Sequence, residues 1–212
     1  MQRVLEPEVL DSLPCDDPRA RRSRADLRRI NVLMGNARHI ARELDGTVRT
    51  LLDLGAGDGD FARRIARPGA RVTLLDRLAF PPAPGFTRVQ EDVHRFLERT
   101  DQRFDAIIAN LFLHHLEREA LRALLELVAH RTALFIACEP RRSRSALAAS
   151  RLTWMLGAGA VTRHDARASV RAGFRGHELS ELWPRTAGAW HVCERAAWPF
   201  SHLFVARRNG PL

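Results

Sequence analysis

Residues 51–66, LLDLGAGDGDFARRIA, constrain this chain more than any other stretch. Leu51, Leu52 and Leu54 form a short apolar strand. A turn carrying Gly55, Gly57 and Gly59 follows, and Phe61, Ala62, Ile65 and Ala66 then recur at helical spacing. Strand, glycine turn and amphipathic helix make the first unit of a nucleotide-binding α/β fold, in which the turn brings backbone close to a ligand at the carboxyl end of the strand. The spacing is G-x-G-x-G rather than the G-x-G-x-x-G of a dinucleotide loop, and no Gly-Lys-Ser/Thr follows as a P-loop requires. Asp53 stands before the turn, with Asp58 and Asp60 where the helix begins. Carboxylates suit that end of a helix dipole but repel a pyrophosphate. The loop therefore suits a ligand that carries positive charge and no phosphate there.

Asp53-x-Gly55-x-Gly57-x-Gly59 resembles motif I of the class I S-adenosylmethionine-dependent methyltransferases, in particular the bacterial small-molecule enzymes. The resemblance implies a Rossmann-like α/β fold. Its mostly parallel seven-stranded sheet would have an antiparallel C-terminal edge strand, helices on both faces and an N-terminal helical cap. It implies a lead-in and cap over residues 1–46 and a single domain over 47–212. S-adenosylmethionine would be the cofactor and S-adenosylhomocysteine the product, held at this loop by Asp53, Gly55, Ala56, Gly57, Asp58 and Gly59.

The rest of the chain extends the pattern. Residues 71–76 read as a second strand ending in Asp76, 19 residues after Gly57, where an acid accepts hydrogen bonds from ribose hydroxyls. Arg77 follows it at the cofactor. Asp92 falls where the family places an acid on the adenine amino group, with Val93 against the ring; it is equally placed to cap the next helix. Residues 104–116, FDAIIANLFLHHL, read as a buried strand with a polar end and resemble motif IV. The resemblance puts Asn110 and Leu111 at the cofactor's methionine end and His114 and His115 near the acceptor, as candidate general bases. With no Tyr or Lys in the chain, histidines, His164 among them, are the bases near neutral pH. The pair's bland alternative is one packed and one solvated ring. No third ligand lies near it in sequence, so no metal is expected.

Upstream, Pro7, Pro14 and Pro18 among acids read as an extended, weakly ordered lead-in. A basic helix is expected from Ser23 as N-cap, broken at Gly35-Asn36, with a second helix near residues 37–44 ending at Gly46. Its resemblance to the cap of some bacterial methyltransferases makes Arg28 and Asn31 candidate site contacts. Downstream, Glu139-Pro140 ends another apolar strand. Arg141, Arg142 and Arg144 either attract an anionic acceptor or form a solvated loop. A helix opens at His164-Asp165, and strand-like pieces follow near residues 177–182, 189–194 and 201–206. Trp183, Trp190 and Trp198 lie among them, as pocket walls or, by default, packing.

The net charge of +9 resembles a nucleic-acid signature, but all 34 basic residues are arginine and acids are spread throughout, a compositional bias. No N-P-P-Tyr or Asp-P-P-Tyr motif follows the fourth strand, which favours a small-molecule acceptor over nucleic acid. Cys15, Cys138 and Cys193 are scattered, odd in number and not at metal spacing, as in a reducing compartment. No run of about 20 apolar residues spans a membrane. A cytoplasmic monomer or homodimer is expected. The competing readings are an RNA or protein methyltransferase, a non-catalytic nucleotide-binding protein and a nicotinamide oxidoreductase; the last requires a G-x-x-G spacing that is absent.

Overall fold

A computed structural model describes every residue except 15, 186–188 and 210–212. Cys15 therefore lies outside the described residues. Seven strands, β1 (Thr50–Leu54), β2 (Arg71–Asp76), β3 (Thr87–Gln90), β4 (Ala106–Asn110), β5 (Leu134–Pro140), β6 (Trp190–Ala197) and β7 (Ser201–Arg208), form one sheet in the order β3-β2-β1-β4-β5-β7-β6. β1 to β5 are parallel, β7 runs antiparallel to β5, and β6 closes the edge antiparallel to β7. The sheet is the mostly parallel one expected, with its reversed strand at the C-terminal side.

The helices are α1 (Val9–Ser12), α2 (Pro18–Met34), α3 (Asn36–Glu43), α4 (Asp60–Ile65), α5 (Val93–Arg99), α6 (Arg118–Arg131), α7 (Arg144–Arg151) and α8 (Ala160–Ala172). Strands covered on both faces must be apolar at consecutive positions. In β4, Ile107 and Ala109 join α5 and α6 in one core, whereas Ala106 and Ile108 join α3 and α4 in the other. β5 is buried along its whole length, while β6 alternates between exposed and half-buried positions as an edge does. No helix among the described residues is long and apolar enough to cross a membrane.

Several local expectations are corrected. α2 starts at Pro18, not Ser23: Asp17 accepts the amide N–H of Arg19, and proline at the first helical position has no N–H to lose. Ser23 is buried inside the helix and accepts a hydrogen bond from Thr162. Gly35, at φ 68°, ends α2, and α3 ends at Glu43, with Leu44 as its C-cap, before reaching Gly46. α8 begins at Ala160 rather than at His164. Residues 177–182 are turns, because Glu194 accepts the amide N–H groups of Leu179 and Ser180 that a strand partner would need. Arg142 is buried and paired with Glu178, not part of a solvated loop. Trp183 packs in the core, stacked on Phe135, and Trp198 is exposed.

Residues 1–14 form a strap docked on α8 instead of a loose lead-in. Asp165 accepts the amide N–H groups of Val9 and Leu10 at 2.9 and 3.0 Å, and Val4 N–H donates to Arg171 O. Arg3 donates to the carbonyls of Ala172, His114 and Leu116.

Candidate active site

The crevice outside the carboxyl ends of β1 and β4, where the strand order reverses, is where an open α/β sheet binds ligands. A cavity of about 780 Å³ opens there, in the upper part of the ~300–1,000 Å³ range of small-molecule sites. Asp53, Gly55, Ala56, Gly57, Asp58, Asp76, Arg77, Asp92, Val93, Asn110, Leu111, His114, His115, Arg28 and Asn31 all line it. Gly59 and His164 do not line it. Gly59 sits behind the loop as N-cap of α4. The His164 ring is half-exposed and its Nδ1 lies 3.0 Å from Asp165, which itself serves the strap.

The loop geometry follows from two glycines. Gly55 has φ 67°, and a Cβ on it would run into the Phe112 ring. Gly57 has φ 55° and open space where its Cβ would be, so its backbone faces the cavity bare. Gly57 N–H donates to Asp76 Oδ2 at 2.8 Å, and Leu78 N–H to Asp76 Oδ1 at 2.9 Å. Each Asp76 oxygen keeps a lone pair for a ligand hydroxyl. Asp92 does cap α5, accepting the N–H groups of His94 and Arg95, while also lining the cavity.

Asp53 is 2% exposed, and its Oδ2 has no hydrogen-bond partner. Burial, reinforced by the charge of Asp76, pushes its carboxyl up to about 8. Such a group is satisfied by a ligand that brings a cation or a donor to this end of the cavity. The donor set thus fits a nucleoside with ribose hydroxyls and a cationic amino-acid end.

The cap reaches the same place. Arg28 pairs with Asp58 at 2.8 Å. Asn31, Asn36 and Asn110 form an amide cluster, with Asn36 Nδ2 donating to Asn110 Oδ1 at 2.8 Å and Asn110 Nδ2 to Asn31 Oδ1 at 3.3 Å. Ser201 anchors Asn36 from β7 at 2.6 Å. Leu111 turns the chain at φ 53°, a conformation uncommon for a residue with a side chain, and its N–H donates to Cys138 O.

In the same cavity His114 and His115 share a 3-10 turn, their ring centroids 4.1 Å apart. Glu139, fully buried at the end of β5, accepts the N–H groups of Phe112 and Leu113 and, at 2.7 Å, His114 Nδ1–H. On the other side of that ring, Glu8 Oε1 from the strap lies 3.4 Å from His114 Nε2. Burial alone would lower the His114 pKa, but Glu139 and then Glu8 outweigh it and push it up to about 9. His115 moves the other way, lowered by burial and by the neighbouring His114. His115 Nδ1 lies 3.8 Å from Asp11. Sequence reasoning missed Glu8 and Asp11, which sit in an acid- and proline-rich stretch with no local signal. It used Glu139 only as a strand-end marker.

A methyltransferase-domain family matches residues 21–189 of the chain. Among solved structures, the plantazolicin methyltransferase BpumL in complex with SAH superposes with a TM-score of 0.65 at 13% identity, covering 92% of each chain. An O-methyltransferase family protein from Burkholderia thailandensis gives 0.62 at 17% identity over 93% of this chain. The pyocyanin biosynthetic protein PhzM gives 0.63 at 22% identity over 92%. The chain spans 62% and 60% of the length of the last two. No curated protein matches it at the sequence level. Fold and site together define a class I S-adenosylmethionine-dependent methyltransferase. The chain belongs to the methyltransferase-domain family.

Proposed function

We propose that the protein methylates a small-molecule acceptor held between the cofactor end of the cavity and the His114–His115 pair. One observation carries this reading. A single cavity runs from Asp53, Asp76 and Asp92 to the histidine pair, with the strap and α2 also lining it. Such an enclosure suits a small acceptor better than a nucleic-acid or protein segment.

When bound, S-adenosylmethionine supplies an electrophilic methyl on a sulfonium. The chain's residues do the rest: Asp76 and Asp92 hold the ribose and adenine, and Asp53 and Asn110 face the amino-acid end. Val93 and Arg77 border the nucleoside, and Arg28 and Asn31 close the cap. A dry site that aligns acceptor and methyl supplies much of the rate of an in-line displacement. Where the acceptor is a hydroxyl, the cluster of His114, His115 and Glu8 handles its proton. His115 is the ring of the pair that is partly exposed, whereas carboxylates flank both nitrogens of the buried His114. BamL, solved with a triazolic desmethylPZN analog and SAH, and the mitomycin 7-O-methyltransferase MmcR support a small-molecule acceptor by likeness of fold.

An RNA-directed reading needs free arginines on α2. Four of the six arginines of α2, Arg19, Arg22, Arg28 and Arg29, are instead engaged with Asp17, Gly157 O, Asp58 and Asp26. We take the protein to be cytoplasmic and monomeric or homodimeric, consistent with the unbridged Cys138 and Cys193. Calorimetric titration with S-adenosylmethionine, S-adenosylhomocysteine and NADH tests the cofactor. Micromolar binding of the sulfur nucleotides only, lost in Asp76→Ala, is expected. No binding of either one overturns the reading.

A further inference from the structure

Three side chains with metal-ligating atoms meet beneath the strap. A Glu8 carboxylate oxygen and one nitrogen each of His114 and His115 all lie within 4.8 Å of one another. We propose that Glu8, His114 and His115 form a binding site for a divalent transition-metal ion of the zinc type at the acceptor end of the cavity.

The donor set is the first argument. Two imidazoles and one carboxylate, with the remaining positions open to a cavity, are ligands that borderline divalent ions accept. The second is the state of His114. Its side chain is 3% exposed, and its Nε2 is buried with no hydrogen-bond partner. Glu139 Oε2 accepts from Nδ1–H at 2.7 Å, so Nε2, the nitrogen near Glu8, is the ring atom at which a metal ion would replace a proton. A carboxylate behind an imidazole in this way orients metal-ligating histidines. Glu139 is itself fixed by the backbone N–H groups of Phe112 and Leu113, so the ring is held by rigid structure.

The surroundings favour a cation. Glu8, Glu139 and Asp11 stand around the pair, and the nearby Arg3 guanidinium is occupied by the carbonyls of Ala172, His114 and Leu116. Bonds of about 2.1 Å in a tetrahedron set ligand atoms roughly 3.4 Å apart. The longest separation must therefore close by at most about 1.4 Å. The closure falls on Glu8, which stands on the strap rather than on the sheet and whose Oε1 also accepts a hydrogen bond from Ser169.

The role of the ion, unlike its site, rests on the methyl-transfer reading. An acceptor whose hydroxyl oxygen binds the ion loses its proton to solvent at lower pH and presents an oxyanion to the methyl. The acceptor class is then a small molecule with a metal-binding hydroxyl, such as a phenol or enol with a neighbouring oxygen.

The test uses the full chain, freed of metal by chelator, with neither cofactor nor acceptor present. Calorimetric titration with Zn²⁺ is expected to show one equivalent bound at micromolar affinity or tighter, and Co²⁺ to give visible ligand-field absorption. Glu8→Gln and His115→Ala should each weaken binding at least tenfold, whereas His191→Ala, exposed on β6, should not. Circular dichroism on the variants reports whether they fold, and both avoid the buried His114. Absence of a stoichiometric site, or unchanged affinity in both variants, overturns the proposal. Zinc binding without cofactor binding would sink the methyl-transfer reading and leave the metal site standing.

Discussion

A carboxyl group at the tip of β1 with one oxygen unpaired makes stability depend on pH. Asp53 has its pKa raised from 3.8 to about 8, so between these values the folded chain holds a proton that the unfolded chain has released. Stability from this group is full below about pH 4, falls as pH rises towards about 8, and levels off above. Asp53→Asn removes that slope, which is at most about 1.4 kcal/mol per pH unit. Urea denaturation at pH 5 and pH 8 should show the variant gaining on the native chain at the higher pH; parallel changes would refute the assignment. Gly55→Ala forces a Cβ into Phe112 at a left-handed φ and should cost about 1–3 kcal/mol. The same denaturation experiment checks it, and a neutral result would mean the Phe112 ring gives way. The cavity-lining residues legible in the sequence, Asp53, Asp76, Asp92 and Asn110, each lie within two residues of the end of a strand, so local spacing places them. Glu8 was illegible because its partners lie more than a hundred positions away. His164 was a candidate only because the chain offers no Tyr or Lys as a base; in the fold its ring lies against Asp165, outside the cavity lining.

At the scale of elements, strands and helices were read where hydrophobic period and caps agree, as at β1–α4 and β4. The readings failed where a tertiary partner decides. The turns at 177–182 exist because Glu194, on β6, supplies acceptors that no local pattern announces. The strap is the same case. It carries five residues besides Glu8 that line the cavity, and two of the bonds that tie it to α8 are N–H bonds to Asp165. Asp165→Ala should detach it, at a cost of about 1–3 kcal/mol for the lost acceptor. Limited proteolysis should then cut within the strap several-fold faster, with S-adenosylhomocysteine affinity little changed, because the proposed cofactor contacts sit at the strand ends. Unaltered cleavage would show the strap to be held by other means.

For the whole molecule, a ligand that binds only the folded chain must raise its melting temperature. At a hundred times its dissociation constant, S-adenosylhomocysteine adds about 2.7 kcal/mol, or roughly 5–11 °C for a chain of this size. Thermal scans should show that shift, and Asp76→Ala should abolish it. A shift that survives in the variant would move the ribose contact elsewhere. The order of strands in the sheet has its own consequence for how the chain is made. β7 is translated last, yet it sits inside the sheet, between β5 and β6. Until residues 201–208 emerge from the ribosome, β5, apolar along most of its length, has one edge unpaired. An open apolar edge invites pairing with other chains. The nascent protein is therefore most exposed to aggregation in the interval between the synthesis of β5 and that of β7, and a ribosome stalled before residue 201 would release a chain that sticks.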